Sequence, residues 1–339
     1  MIGRVLAVLA LVLASGSQAL AAGPAAVCAE AQAYSTARNG VSVLVLKNGA
    51  AVCEGYAGAG GPDRGWEIWS GTKSFNGMIL AAAVQDGLIT LDEKVADTLP
   101  EWRDDPRKTK VTIRQLLSLT SGIETTVGRA PDYAGAVAAA VTAEPGTRFD
   151  YGAEPFQVFG AVMNRKLKAA GTGDADVLAY LKRRILDPAG VRWTNWRRTP
   201  SGDALLPQGA VFTAREWAKF GEFVRGGAVR DGRPLVDPVA FQAQFEGTGV
   251  NPAYGLTWWL ARPGGFGPRT APVDFTDGSA TLPADLRMAA GAGKQRLYIL
   301  PSCGLTVVRQ AMFNLRDARG GGPQWSDHAF LAPIIKAWC

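Results

Sequence analysis

"IWSGTKSFNGMILAAAVQDGLITLDEKVADTLPEW", residues 68–102, is the stretch on which the reading of this chain turns. An apolar run from Phe75 to Val84 closes on Gly87, which predicts a helix carrying Ser70 and Lys73, three positions apart, just inside its start. On a helix, positions i and i+3 share a face, so the hydroxyl and the amine come within hydrogen-bond reach. A helix start also presents free N–H groups and a positive dipole end to negative charge developing on or near the serine oxygen. Lysine acts as the base for such a serine only when neutral, a state that burial and a neighbouring positive field favour by lowering its pKa. The plainer reading is a serine that caps a helix, and S-x-x-K arises by chance about once in a chain of this length.

Two observations favour chemistry. Ser70 is the only serine with a lysine three residues on, and Trp66 and Trp69 precede it. The chain has a single histidine, His328, and no G-x-S-x-G elbow, so a Ser-His-Asp hydrolase would rest on His328 alone and a histidine metal cluster is impossible. His328 falls in the first turn of a predicted final helix, "DHAFLAPIIKAW", where it has no catalytic role. If this chain does serine chemistry, lysine is the base.

Outward from that stretch, "VSVLVLKNGAAVCEGYAG", residues 41–58, reads as two strands around an Asn48-Gly49 turn, after a helix that stops at Asn39-Gly40. From residue 71 to about 200 the pattern is helical and irregular, with helices in "VTIRQLLSL" and "AEPFQVFGAVMNRKLKAAG". Thr213 and Glu216 predict a capping box ahead of Trp217, Phe220 and Phe223. β signals return only near the end, in "YGLTWWLA", "KQRLYILP" and "GLTVVRQAMF". The expected architecture is α/β (α+β): a sheet region from residues 27–70 and 205–339, flanked by terminal helices, with a mainly helical region at 71–204 inserted.

Composition bounds the rest. With 339 residues, 47% hydrophobic and 19% charged, the chain buries a large core. The formal charge of +6 is spread among acids, without the basic runs, zinc spacing or aromatic motifs of nucleic-acid binders. Residues 1–22 read as a cleavable signal peptide: Arg4, an apolar run at 5–14 too short for a comfortable membrane span, then small residues around Ala19-Leu20-Ala21. A periplasmic or secreted protein without stable membrane insertion is expected. Four cysteines agree with export; of three possible connectivities, Cys28 with Cys53 and Cys303 with Cys339 each tie a terminal helix to a nearby strand, and free buried thiols are the alternative.

The 68–102 stretch, with its "DG-x-L-x-LD" segment and "LPEW" turn, and "VTIRQLLSLTSGIE" together resemble the serine hydrolases of the β-lactamase, penicillin-binding protein and esterase superfamily, in the branch related to class C β-lactamases. Leu119 stands where that family usually has histidine. The resemblance implies a second motif, Tyr-x-Asn or Tyr-x-Ser, matched by "GTRFDYGAEPFQVFG", with Tyr151 beside Ser70 and Lys73 in proton transfer. Ala153 occupies the place of the Asn, which weakens the case for amide recognition of the β-lactamase kind. The third motif, Lys-Thr-Gly or His-x-Gly, is absent from "MAAGAGKQRLYILPSCGLTVV". A backbone N–H needs no particular side chain, so Ala292 is expected to pair with the Ser70 N–H as the oxyanion hole, while Lys294 either replaces the missing cation or faces solvent. Tyr254, Trp258 and Trp259 either line the cleft or pack in the core, and residues 128–146 are a further candidate for the cleft border.

The expected activity is cleavage of a small-molecule ester, amide or peptide-like substrate through an acyl-enzyme on Ser70, without metal or organic cofactor. A β-lactamase or D-alanyl peptidase, or a penicillin-binding sensor that acylates without turnover, is the alternative. Oligomeric state is not legible in the sequence.

Overall fold

Asn48 and Gly49 both take positive φ, 49° and 83°, the conformation that a two-residue hairpin turn requires. They join β1 (Gly40–Lys47) to β2 (Ala50–Tyr56). The chain is described by a computed structural model at residues 23–262, 281–315 and 324–339; the expected signal peptide lies outside them. Helix α1 (Pro24–Thr36) precedes the hairpin, and Asn39 at φ 61° makes the predicted stop.

The remaining strands in chain order are β3 (Trp66–Glu67), β4 (Asn195–Trp196), β5 (Ala210–Phe212), β6 (Val229–Arg230), β7 (Arg233–Pro234), β8 (Trp259–Leu260), β9 (Arg287–Gly291), β10 (Gln295–Leu300) and β11 (Leu305–Ala311). The main sheet runs β2-β1-β11-β10-β9-β8 with antiparallel pairing throughout, so strands from the two ends of the chain meet at β1 and β11. Strands β10 and β11 are buried along their whole length. That explains their continuous apolar reading: α1 and the C-terminal helix Asp327–Trp338 pack together on the sheet's terminal-helix side, and the helix Ala214–Arg225 packs against β1, β10 and β11. This is the mixed α/β, antiparallel architecture expected from the sequence, with terminal helices flanking the sheet. No helix among the described residues is long and apolar enough to cross a membrane.

The pairs Cys28–Cys53 and Cys303–Cys339 are disulfide-bonded, one joining α1 to β2 and the other fixing the last residue beside the β10–β11 turn.

Three local readings are corrected. "YGLTWWLA" contributes only Trp259 and Leu260 to the sheet, because Thr257 takes φ 79° and breaks the extended run. The Thr213 cap accepts from the Glu216 N–H, but the Glu216 carboxylate does not return to it; that carboxylate accepts from the Arg192 N–H and from Lys219 instead. A reciprocal capping box forms at Thr112 and Gln115, at the start of the helix Ile113–Leu117. A small sheet in the order β3-β5-β4 was also not anticipated, its strands being too short to leave a period-2 signal.

Candidate active site

Ser70 does not lie in the α-helix as the sequence suggests. It sits in a single 3-10 turn, Trp69–Thr72, immediately before α2 (Lys73–Gln85). The turn is entered through Trp69 at φ 48°, a conformation costly for a bulky residue and stable only where the surroundings hold it. Those surroundings are visible. The Ile68 N–H donates to the Ala210 carbonyl, and Thr72 Oγ1 donates to the Trp69 carbonyl while accepting from the Ala210 N–H, pinning the turn to β5. The Trp69 ring packs at 5.0 Å from Phe313, with the Arg197 guanidinium 5.4 Å from its centroid. Gly71 is required by a close approach, since a Cβ there would stand 2.9 Å from the Trp217 ring. In a 3-10 turn residues i and i+3 eclipse, so Lys73 still projects alongside Ser70.

Residues 73–83 of α2 are buried all round, making it a central helix rather than an amphipathic one. Lys73 is carried into that interior, where its amine donates to Ser70 Oγ and to the Pro207 carbonyl, each at 3.1 Å. It also lies 4.8 Å from the Tyr151 ring centroid and 5.3 Å from that of Phe156. No ion pair to Lys73 exists among the described residues. Burial therefore drives its pKa down to about 7, against a smaller opposing effect from the Glu154 carboxylate. Glu154 is held back from the amine by its own donors: it accepts from Thr125 Oγ1, and from Thr126 through both N–H (2.7 Å) and Oγ1 (2.8 Å).

Tyr151 precedes the helix Glu154–Ala169 and is buried, with its phenol beside Ser70 and its ring against Trp259. Burial pushes its phenol up to about 12, so it keeps its proton at neutral pH. Ser70 itself is half-buried between the two groups. Trp259 and Tyr254 belong to this wall: their rings lie 5.6 and 6.3 Å from Tyr151 and 4.9 Å from each other. Trp258 instead turns into the core and donates to Gln244.

Gly291 ends β9 against the Trp69–Thr72 turn; a Cβ on it would strike the Ile68 carbonyl at 2.0 Å, so only glycine lets the two backbones approach. The next residue, Ala292, is exposed at the start of a tight turn, 292–294, that leads into β10. Ala153 is a buried helix N-cap without a side-chain bond, and the Lys73 amine is met by the Pro207 carbonyl. Lys294 is half-buried at φ 61°. His328 lies in the first turn of the last helix, its Nε2 2.9 Å from Thr281 Oγ1. The 128–146 stretch approaches the site through its first residues, the Gly128 and Pro131 carbonyls accepting from Gln208 and Gln157.

The structure thus brings together Ser70, Lys73 and Tyr151, places Trp259 and Tyr254 at the cleft, and adds Pro207 and Glu154, which sequence reasoning left out. A backbone carbonyl leaves no sequence signal. Glu154 had one, an acid three residues after Tyr151 at the mouth of a helix.

A profile of the Beta-lactamase family matches residues 20–302. Protein flp of Staphylococcus aureus (strain MW2) is 25% identical over 181 residues, a match covering 47% of this chain and 35% of that protein, so the chain spans about a third of the curated relatives it matches. Among solved structures, the fold resembles a Bacteroides dorei DSM 17855 protein (TM-score 0.71, 19% identity, 92% of this chain and 98% of that one). It also resembles a penicillin-binding protein homologue from Caulobacter crescentus (0.68, 17%, 94% and 98%) and a D-stereospecific amidohydrolase from Streptomyces sp. (0.61, 19%, 84% and 93%). The chain belongs to the Beta-lactamase family, a family of hydrolases.

Proposed function

We propose that this protein is an exported serine hydrolase that cleaves an ester or amide through an acyl-enzyme on Ser70. The observation that carries the reading is the Lys73 amine, buried without an ion pair, 3.1 Å from Ser70 Oγ and poised to lose its proton near pH 7. In its neutral form Lys73 accepts the Ser70 proton as Oγ bonds to the substrate carbonyl carbon. The carbonyl electron pair moves to oxygen, where the Ser70 and Ala292 N–H groups receive it. Tyr151, still protonated, hands its proton to the departing oxygen or nitrogen as that bond breaks and recovers one from Lys73. Water then attacks the acyl carbon, the same pair takes its proton, and the acid leaves with Ser70 restored.

An ester or small amide fits better than a β-lactam, because Ala153 supplies no side-chain amide and the 292–294 turn carries neither Lys-Thr-Gly nor His-x-Gly. Two disulfides support an oxidising compartment, periplasmic or extracellular.

The test is intact-mass spectrometry of the mature protein and its Ser70→Ala variant, mixed with a short-chain p-nitrophenyl ester and separately with a β-lactam, with product release followed in parallel. Ser70-dependent ester turnover with little β-lactam acylation is expected. A lasting β-lactam adduct without turnover would reassign the protein to the penicillin-binding sensors, and hydrolysis unchanged in Ser70→Ala would overturn the mechanism.

A further inference from the structure

Two arginines interrupt the apolar strands β10 and β11, and they stand directly opposite each other: Arg296 pairs in register with Arg309. Both are fully buried. Like charges facing across a sheet in a dry interior are destabilising, and each guanidinium carries a large desolvation cost. Arg296 is answered by Asp327, whose carboxylate lies 2.7 Å away and also accepts from Tyr298 and from Trp325 at 2.9 Å. Arg309 has no carboxylate within ion-pair distance among the described residues. Burial and the neighbouring Arg296 lower its pKa to about 9, which leaves it charged at neutral pH.

Its donors go to the main chain. Arg309 Nη1 donates to the Gly293 carbonyl at 2.9 Å and the Lys294 carbonyl at 2.8 Å, and the other nitrogens reach Ser35 and the Arg38 carbonyl. Arg296 Nη1 donates to the Gln295 carbonyl at 3.1 Å and, at 3.4 Å, to that of Gly291. Four of the five carbonyls between Gly291 and Gln295 are thus met by two buried cations on the terminal-helix side of the sheet. In a trans peptide the C=O of one residue and the N–H of the next point in opposite directions. Arg296, drawing the Gly291 carbonyl toward itself, therefore turns the Ala292 N–H the other way, and Arg309 holds the far side of the same turn through the Gly293 and Lys294 carbonyls. Gly291 against the Ile68 carbonyl, and the Gln295 side chain bonded to both main-chain groups of Ala311, fix the two ends of the turn.

We infer that Arg309, acting with Arg296, is a positioning residue that holds the Gly291–Gln295 turn so that the Ala292 N–H is aimed at the developing oxyanion. The inference rests on the acyl-enzyme reading above. It accounts for a buried guanidinium that has no carboxylate partner, although it also ties Ser35 and Arg38 and lies 4.3 Å over the Trp325 ring, and for an oxyanion turn that lacks the family's motif residues.

The experiment compares kcat and KM for a p-nitrophenyl ester and for its thionoester, in which sulfur replaces the carbonyl oxygen and gains little from an oxyanion hole. Arg309→Met is the main variant, since it removes a charge without orphaning Asp327; Arg309→Lys keeps the charge with fewer donors and guards against a folding failure. Arg309→Met is expected to lower kcat for the oxoester about tenfold to a hundredfold, with KM and the thionoester rate nearly unchanged. Arg309→Lys should lie between. Equal losses on both substrates, or no loss on either, would overturn the inference while leaving the acyl-enzyme intact. Wild-type hydrolysis that survives Ser70→Ala would instead overturn the acyl-enzyme reading, and the inference with it.

Discussion

Lys73 Nζ lies 3.1 Å from Ser70 Oγ. Ser70 is therefore partnered by a buried amine whose pKa of about 7 arises chiefly from loss of water. The acylation rate should follow the neutral amine. On the free enzyme, kcat/KM is expected to rise about tenfold per pH unit below pH 7 and level off above it, as Lys73 deprotonates. A pH profile on a neutral ester, whose own ionisation cannot intrude, checks this; a flat profile from pH 5 to 9 would exclude Lys73 as the base.

Glu154 tunes that limb. Its carboxylate favours the charged amine and so raises the Lys73 pKa against the effect of burial. Removing the charge in Glu154→Gln should move the ascending limb to lower pH, leaving more neutral amine at pH 6. The same titration in the variant gives the answer, and a shift to higher pH would contradict the assigned sign.

Lys73→Met should trade activity for stability. In the wild type the folded state resists the proton that the unfolded chain binds readily, so folding carries a penalty that is complete below about pH 7 and shrinks as pH rises toward the ordinary lysine value of 10.5. The variant escapes it. A gain of about 1–2 kcal/mol at pH 6, diminishing by pH 9, is expected in urea unfolding, with hydrolysis reduced at least about a thousandfold.

Tyr151→Phe removes one hydroxyl from a buried ring that keeps its contacts with Tyr254 and Trp259. The fold should be retained and kcat should fall by about 10²–10⁴, the usual worth of a positioned proton donor. The loss should be smaller for an ester with a good leaving group such as p-nitrophenol than for an alkyl ester, because only the poorer leaving group needs the proton.

The disulfide between Cys303 and Cys339 fixes the end of the helix that carries Asp327. Replacing both cysteines by serine is expected to cost about 2–4 kcal/mol, seen as a lowered Tm. Reducing agent should lower the Tm of the wild type and leave the doubly substituted protein less affected.

The sequence by itself determined the hairpin at Asn48-Gly49, the last helix and the candidates Ser70 and Lys73, because turn residues, periodicity and motif spacing are local signals; Tyr151 came from the family resemblance, and the structure chose Cys28–Cys53 and Cys303–Cys339 among three connectivities. Tertiary structure alone decided what those candidates experience. Ser70 sits in a 3-10 turn because β5 and Trp217 hold it there, and Lys73 is tuned because an all-round apolar α2 carries it out of water. Pro207 meets the amine through a carbonyl that every residue possesses, so no residue type announces it. Arg296 and Arg309, far from Ser70 in sequence and set in strands that read simply as apolar, face one another only through the pairing of β10 with β11. Desolvation, register and backbone contacts depend on long-range packing, which a linear pattern does not encode.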